Sequence, residues 1–240
     1  MVISSKDNKI VQEIKRLSLK KFRDELGLFV AEGARNVSDI ISFSPDLVKY
    51  VAVNSSYAGS VKADYVIEDN IFSRISETEN SQGILCVCVK PKEKEISSDY
   101  ILYLDGIKDP GNLGTILRTA VGAGYGDIIL SNCTDELSGK VVRSAMSAIV
   151  KLNILHSFQD IIAKLKEKGY NIIGADMNGK SVFNTSKKDK ICLVIGSEAT
   201  GMSSEVKAQL DEVVSVPMVG DIESLNAAVS AGILMYNLKF

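Results

Sequence analysis

The sequence predicts an α/β protein in two parts: a C-terminal part on a mostly parallel sheet and a smaller N-terminal α/β part. Three observations carry this. From residue 100 onward, short β-branched runs ("YILYLDGI", "GDIILSN", "YNIIGADM", "ICLVIGSE", "EVVSVPM") are separated by helical patterns. The runs are continuously apolar, as expected of strands covered on both faces of a parallel sheet. Between the two parts, "PKEKEISSD" is polar, contains proline and alternates charge. A linker is therefore read at about 90–99, dividing residues 1–95 from 100–240.

The elements follow in order. "KIVQEIKRLSLKKF" puts Ile10, Ile14 and Leu17 on one face of an amphipathic helix with lysines outside. "GLFVAEG" reads as a strand, "ARNVSDIISF" as a helix, "LVKYVAVN" and "DYVIED" as strands, and "NIFSRISET" as helical. "GILCVCVK" closes the first part as a strand with Cys86 and Cys88 on one face, as buried apolar thiols. In the second part, helices are expected over 113–123, 139–150, 160–168, 203–210 and 224–238. Leu113, Ile116, Leu117, Ala120 and Val121 form the buried stripe of the first. At about 100° per residue, Arg118 projects about 130° from the centre of that stripe. Asn112 stands just before this helix as a candidate N-cap. In the last helix Ser224 is the opening residue, and Leu225, Val229, Gly232, Ile233 and Tyr236 form the packing stripe. Asn226 in its first turn is a weak helix former, which implies another task.

Composition removes several classes. With 45% hydrophobic and 24% charged residues the chain is an ordinary globular one. No apolar run reaches the roughly 18 residues of a membrane helix, and "MVISSKDNKI" lacks a signal-peptide core. No membrane partner is expected. Four cysteines without a CxxC pair suit a reducing compartment, the cytoplasm. The formal charge of −2 excludes a broadly basic coat. Residues 1–35 nevertheless hold eight Lys/Arg against five Asp/Glu, compatible with phosphate contact or with a solvated helix face.

Some apparent motifs fail on context. "GAGYG" (Gly122, Gly124, Gly126) has the spacing of a nucleotide loop but follows a helix and precedes a strand, the reverse of what such a loop needs. A helix C-terminus is the better reading. "GSEATG" is followed by Met202-Ser203 where a phosphate loop needs Lys-Ser/Thr. His156 is the one histidine, too little for a triad, and with unclustered cysteines it leaves no metal site.

What remains lies where parallel strands end and ligands bind. Asn112-Leu113-Gly114 with Arg118 follows the first strand of the second part. Gly196, Glu198 and Gly201 follow "ICLVI". Pro217 and Met218, then Ser224-Leu225-Asn226, precede the last helix. In order and spacing these three segments resemble the signature motifs of the SpoU (TrmH-like) branch of the SPOUT RNA methyltransferases, across 100–240. "IVQEIKRLSLKKFRDELGLFVAEGARNV" is similar to that family's N-terminal substrate-binding domain. Ser147 stands where relatives often carry glycine.

The resemblance implies a trefoil-knotted SPOUT fold, S-adenosyl-L-methionine as cofactor, a homodimer, and methylation of a ribose 2′-hydroxyl of RNA, ribosomal RNA favoured. It implies catalytic roles for Asn112, Arg118, Glu198, Ser224 and Asn226, and cofactor contacts at Ala175, Gly196, Val216, Met218 and Leu225. The family mechanism makes the arginine the base. A guanidinium with a pKa above about 12 is a very poor base, so the expectation here is a charged Arg118 that grips RNA phosphate and stabilises the developing alkoxide, with Glu198 orienting it or relaying the proton. Transfer RNA as substrate, a catalytically silent RNA-binding module, a base methyltransferase and a structural dimer are the rival readings.

Overall fold

A computed structural model describes residues 2–157, 160–222 and 224–240. They form two compact units. One is built from the chain up to Lys92 together with Asp135–Lys151, the other from Glu93–Thr134 and Leu152–Phe240.

The first unit runs β1 (Val2–Ile3), α1 (Lys9–Arg16), α2 (Lys20–Leu26), β2 (Leu28–Glu32), α3 (Ala34–Phe43), β3 (Val48–Asn54), β4 (Tyr65–Ile67), α4 (Asp69–Phe72) and β5 (Ile84–Val89). Its sheet has the order β1-β4-β3-β5-β2, with β5 antiparallel to both neighbours and the other pairs parallel. Asn8 caps α1 by accepting from the Ile10 N–H at 2.9 Å. Val11, Ile14 and Leu17 then pack into a core with Ile67, Phe72 and Leu85, while Ile10 is only half-buried. Each fully buried Leu or Ile side chain contributes about 1.5–3 kcal/mol. Cys86 and Cys88 are buried with their Sγ atoms 3.5 Å apart. Their mutual contact and burial push the Cys88 thiol up, so it stays protonated.

The second unit opens with β6 (Tyr100–Asp105), α5 (Pro110–Ala123) and β7 (Asp127–Ser131). The chain then gives α6 (Gly139–Ala145) and α7 (Ala148–Lys151) to the first unit. The sequence predicts one helix over 139–150 within the second part. Instead Met146 takes φ +55° and divides it, Arg143 pairs with Glu77 at 3.6 Å, and the buried Arg23 guanidinium pairs with Asp135. The second unit resumes with β8 (Asn153–His156), α8 (Ile161–Glu167), β9 (Asn171–Ser181), β10 (Ile191–Gly196), α9 (Ser204–Lys207), β11 (Glu212–Ser215) and α10 (Ala227–Lys239).

Its six strands take the order β11-β9-β10-β6-β7-β8, and every pairing is parallel. The continuous apolar runs are explained by cover on both faces. Ile101, Tyr103, Cys192 and Val194 pack toward α8, while the alternate residues Leu102, Leu104, Leu193 and Ile195 are also buried. Gly124 ends α5 in the left-handed region at φ +74°, as read for "GAGYG". The polar stretch read as a linker is fastened along the second unit. Ser97 and Ser98 donate their N–H groups to the buried Asp127 carboxylate at 2.9 and 2.7 Å, and Lys94 N–H donates to Asn153 Oδ1 at 2.8 Å.

The chain lays β6, β7 and β8 toward one edge, then returns so that β10 enters beside β6, with Gly196 opposite Asp105. The direction of winding reverses there, and connections leaving the two strand ends part around a crevice.

Candidate active site

After β6, Asp109 rather than Asn112 caps α5, accepting from the Asn112 N–H at 2.7 Å, with Pro110 at the first helical position. Asn112 therefore sits inside the first turn with its carboxamide free for other work. Its Nδ2 donates to Glu198 Oε1 at 2.5 Å. Its Oδ1 accepts from Asn226 Nδ2 at 2.9 Å. Asn226 is the N-cap of α10, not a residue of its first turn, and its Oδ1 accepts from the Ala228 and Val229 N–H groups at 2.9 and 3.3 Å. Ser224 lies in the preceding loop and does not open the helix. The cap orients the whole chain of amides: with the Asn226 oxygen committed to the helix, its nitrogen faces Asn112, whose nitrogen must face the carboxylate. Three side chains from three strand exits thus form one directed network.

Glu198 is presented by a tight loop at the end of β10. Ser197 N–H donates to Gly201 O at 3.1 Å and Gly201 N–H to Ser197 O at 3.0 Å. The chain returns so closely that a Cβ on Gly196 would stand 2.2 Å from Met202 N. Only glycine fits there. The Ser203 N–H donates to the buried Asp105 carboxylate at 2.7 Å, tying this loop to the end of β6.

Beside this network is a cavity of about 420 Å³. Its walls are the middle of β9, the exits of β10 and β11, and the approach to and first turns of α10. Ala175, Gly196, Val216, Met218 and Leu225 all line it, as do Glu198 and Ser224. Asn112 and Asn226 reach the wall through Glu198. Arg118 does not line the cavity. It is exposed, about 9 Å along α5 from Asn112, and no hydrogen bond or ion pair joins it to the network among the described residues. Sequence reasoning passed over Asp109, which the Asp-Pro pair at a helix start could have revealed. It also passed over Asp176 and Lys207 in the cavity wall, which carried no motif. Among the described residues no group of three His, Cys, Asp or Glu is placed to hold a metal ion, and no helix is long and apolar enough to cross a membrane.

The stripe assigned to α10 is corrected. Ala227, Ala228, Ala231, Leu234, Met235 and Leu238 are buried, whereas Val229 and Tyr236 are exposed by about half.

Comparison with known proteins agrees with this architecture. Residues 99–236 match the family model of the SpoU rRNA Methylase family, and residues 8–86 match that of an MRM3-like substrate binding domain. The chain is 32% identical over 246 residues to the 23S rRNA (guanosine(2553)-2′-O)-methyltransferase RlmP of Bacillus subtilis (strain 168), covering 99% of this chain and 98% of that protein. An AdoMet-bound rRNA methyltransferase from Sinorhizobium meliloti superposes with a TM-score of 0.85 at 25% identity, over 99% of this chain and 97% of that one. The SpoU methyltransferase AviRb from Streptomyces viridochromogenes shares the fold, with a TM-score of 0.84 at 22% identity over 96% and 97% of the two chains.

Proposed function

The chain belongs to the SpoU rRNA methylase family, and from that membership we propose that it methylates a ribose 2′-hydroxyl of RNA, ribosomal RNA favoured, using S-adenosyl-L-methionine. The single observation that carries the reading is Glu198, which stands in the cavity wall and accepts from Asn112 at the same time. A cofactor pocket and a polar centre drawn from three strand exits therefore meet at one carboxylate.

The residues present fit the cofactor. A cavity of about 420 Å³ falls in the range of roughly 300–1,000 Å³ usual for small-molecule sites. Ala175, Val216, Met218 and Leu225 supply apolar surface for an adenosine, and the backbone at Gly196 is bare of side chain. When bound, S-adenosyl-L-methionine supplies a methyl group on a sulfonium that already carries the positive charge. The chain's own contribution is then positioning and electrostatics. Asn112 and Asn226 hold Glu198 in one orientation at the cavity edge, and Ser224 adjoins it. Arg118, exposed on α5, binds an RNA phosphate and stabilises charge developing on the 2′-oxygen. Among the described residues no hydrogen bond or ion pair joins Glu198 to Arg118, so of its two expected roles, orienting Arg118 or relaying the proton, the relay is the one kept for Glu198.

Three finer statements belong to the same reading. Residues 1–95 serve as the substrate-binding domain and 100–240 as the methyltransferase domain, with 135–151 packed against the former. The path from β9 through β11 into α10 forms a trefoil knot. The enzyme is a cytoplasmic homodimer, in keeping with exposed Val229, Tyr236 and Phe240 along α10 and four free cysteines. Calorimetric titration with S-adenosyl-L-methionine, followed by transfer of labelled methyl to ribosomal against transfer RNA, tests the proposal. Absence of cofactor binding overturns it.

A further inference from the structure

The cavity wall carries a charged pair to which the reaction above assigns no part. Lys207 Nζ lies 3.5 Å from Asp176 Oδ2, and it stands above Gly201, whose added Cβ would be 3.9 Å away. Asp176 Oδ1 accepts from the Asn178 N–H and Nδ2 at 3.1 and 3.2 Å, which fixes the carboxylate while leaving acceptor capacity on both oxygens. Both side chains remain partly exposed, 26% for Asp176 and 46% for Lys207. An ion pair so exposed adds little to folding stability, so stability does not explain its place on this wall.

Among the described lining residues the charged side chains are Asp176, Glu198 and Lys207. Glu198 is committed to Asn112. One anion and one cation, side by side, are left facing a pocket that is otherwise apolar side chain, hydroxyl, the Asn178 carboxamide and backbone. That arrangement complements a zwitterion, with two opposite pairs laid head to tail so that each charge meets its counter-charge and neither is stranded.

Resting on the functional reading above, we infer that Asp176 and Lys207 hold the amino-acid end of S-adenosyl-L-methionine, Asp176 accepting from its ammonium and Lys207 donating to its carboxylate. They are positioning residues. They fix the tail so that the sulfonium is presented toward Glu198 and Asn112.

Calorimetry with two probes tests this without turnover. S-Adenosylhomocysteine has the amino-acid tail, and 5′-methylthioadenosine lacks it. Lys207→Met and Asp176→Asn are each expected to weaken the first by about ten- to a hundredfold, the span of one charged hydrogen bond. Both variants should bind the second as the unaltered protein does, which also shows that they fold. Unchanged affinity for S-adenosylhomocysteine, or equal losses for both probes, overturns the inference. Weaker methylthioadenosine binding in Asp176→Asn alone makes Asp176 a ribose ligand and overturns it too. If the unaltered protein binds neither probe, the functional reading fails and takes this inference with it.

Discussion

Asn112 donates its side-chain N–H to the carboxylate of Glu198, which lies 86 residues further along the chain. The amide is held in that sense because its oxygen accepts from Asn226, itself locked as the cap of α10. Replacing Asn112 by alanine removes the donor from Glu198 and the acceptor from Asn226 while leaving the cavity wall in place. Methyl transfer is expected to fall by about 10²–10³-fold, the usual cost of losing one preorganised donor, with cofactor affinity nearly unchanged. Single-turnover rates beside calorimetric affinities check this, and an affinity loss as large as the rate loss speaks against it.

Arg118 is exposed and does not line the cavity, and it has the planar, permanently charged group suited to phosphate. Arg118→Ala should lower turnover at neutral pH by orders of magnitude without altering cofactor affinity, and Arg118→Lys should restore little. A near-normal rate in the alanine variant refutes any catalytic part for this residue.

Gly196 tolerates no side chain, since a Cβ would stand 2.2 Å from Met202 N and 2.3 Å from the Gly201 carbonyl carbon. Gly196→Ala must displace the loop that carries Glu198. A loss of about 1–3 kcal/mol in denaturant unfolding is expected, together with loss of cofactor binding. An unmoved midpoint with intact binding contradicts this packing account.

Tyr125 is fully buried beneath α10, its hydroxyl 3.4 Å from Met235 O. Burial first, then the neighbouring Tyr100, pushes its pKa well above the ordinary 10.0. The folded state therefore keeps the proton while the unfolded chain releases it near the ordinary value. The stabilisation is fully present below pH 10 and is lost as pH rises beyond it. Unfolding free energies at pH 8 and at pH 11 should differ more in the unaltered protein than in Tyr125→Phe. Equal alkaline losses in the two proteins exclude Tyr125 as the cause.

Much of this is legible in the sequence itself. Strands of the second unit stand out because a sheet covered on both faces needs uninterrupted apolar runs, and the motif residues Asn112, Glu198 and Asn226 meet where those runs end. Other features depend on partners that local pattern does not name. The last helix, "AAVSAGILMYNL", is apolar all round, so periodicity cannot choose its inner side. Packing against α5 and β10 chooses it instead, burying Ala227, Ala228, Ala231, Leu234, Met235 and Leu238. Residues 139–150 read as one helix, which the structure divides into α6 and α7 at Met146, and nothing in their period tells which sheet they join. The pair Asp176 and Lys207 carries no motif and becomes visible only when β9 and the end of α9 are set side by side.

The most direct test incubates the protein with labelled S-adenosyl-L-methionine and unmodified ribosomal RNA, digests the product to nucleosides, and locates the label by mass spectrometry. Label on the ribose 2′-oxygen, absent when Glu198 or Arg118 is replaced, is the predicted result. Label on a base, or none on RNA despite bound cofactor, contradicts the account.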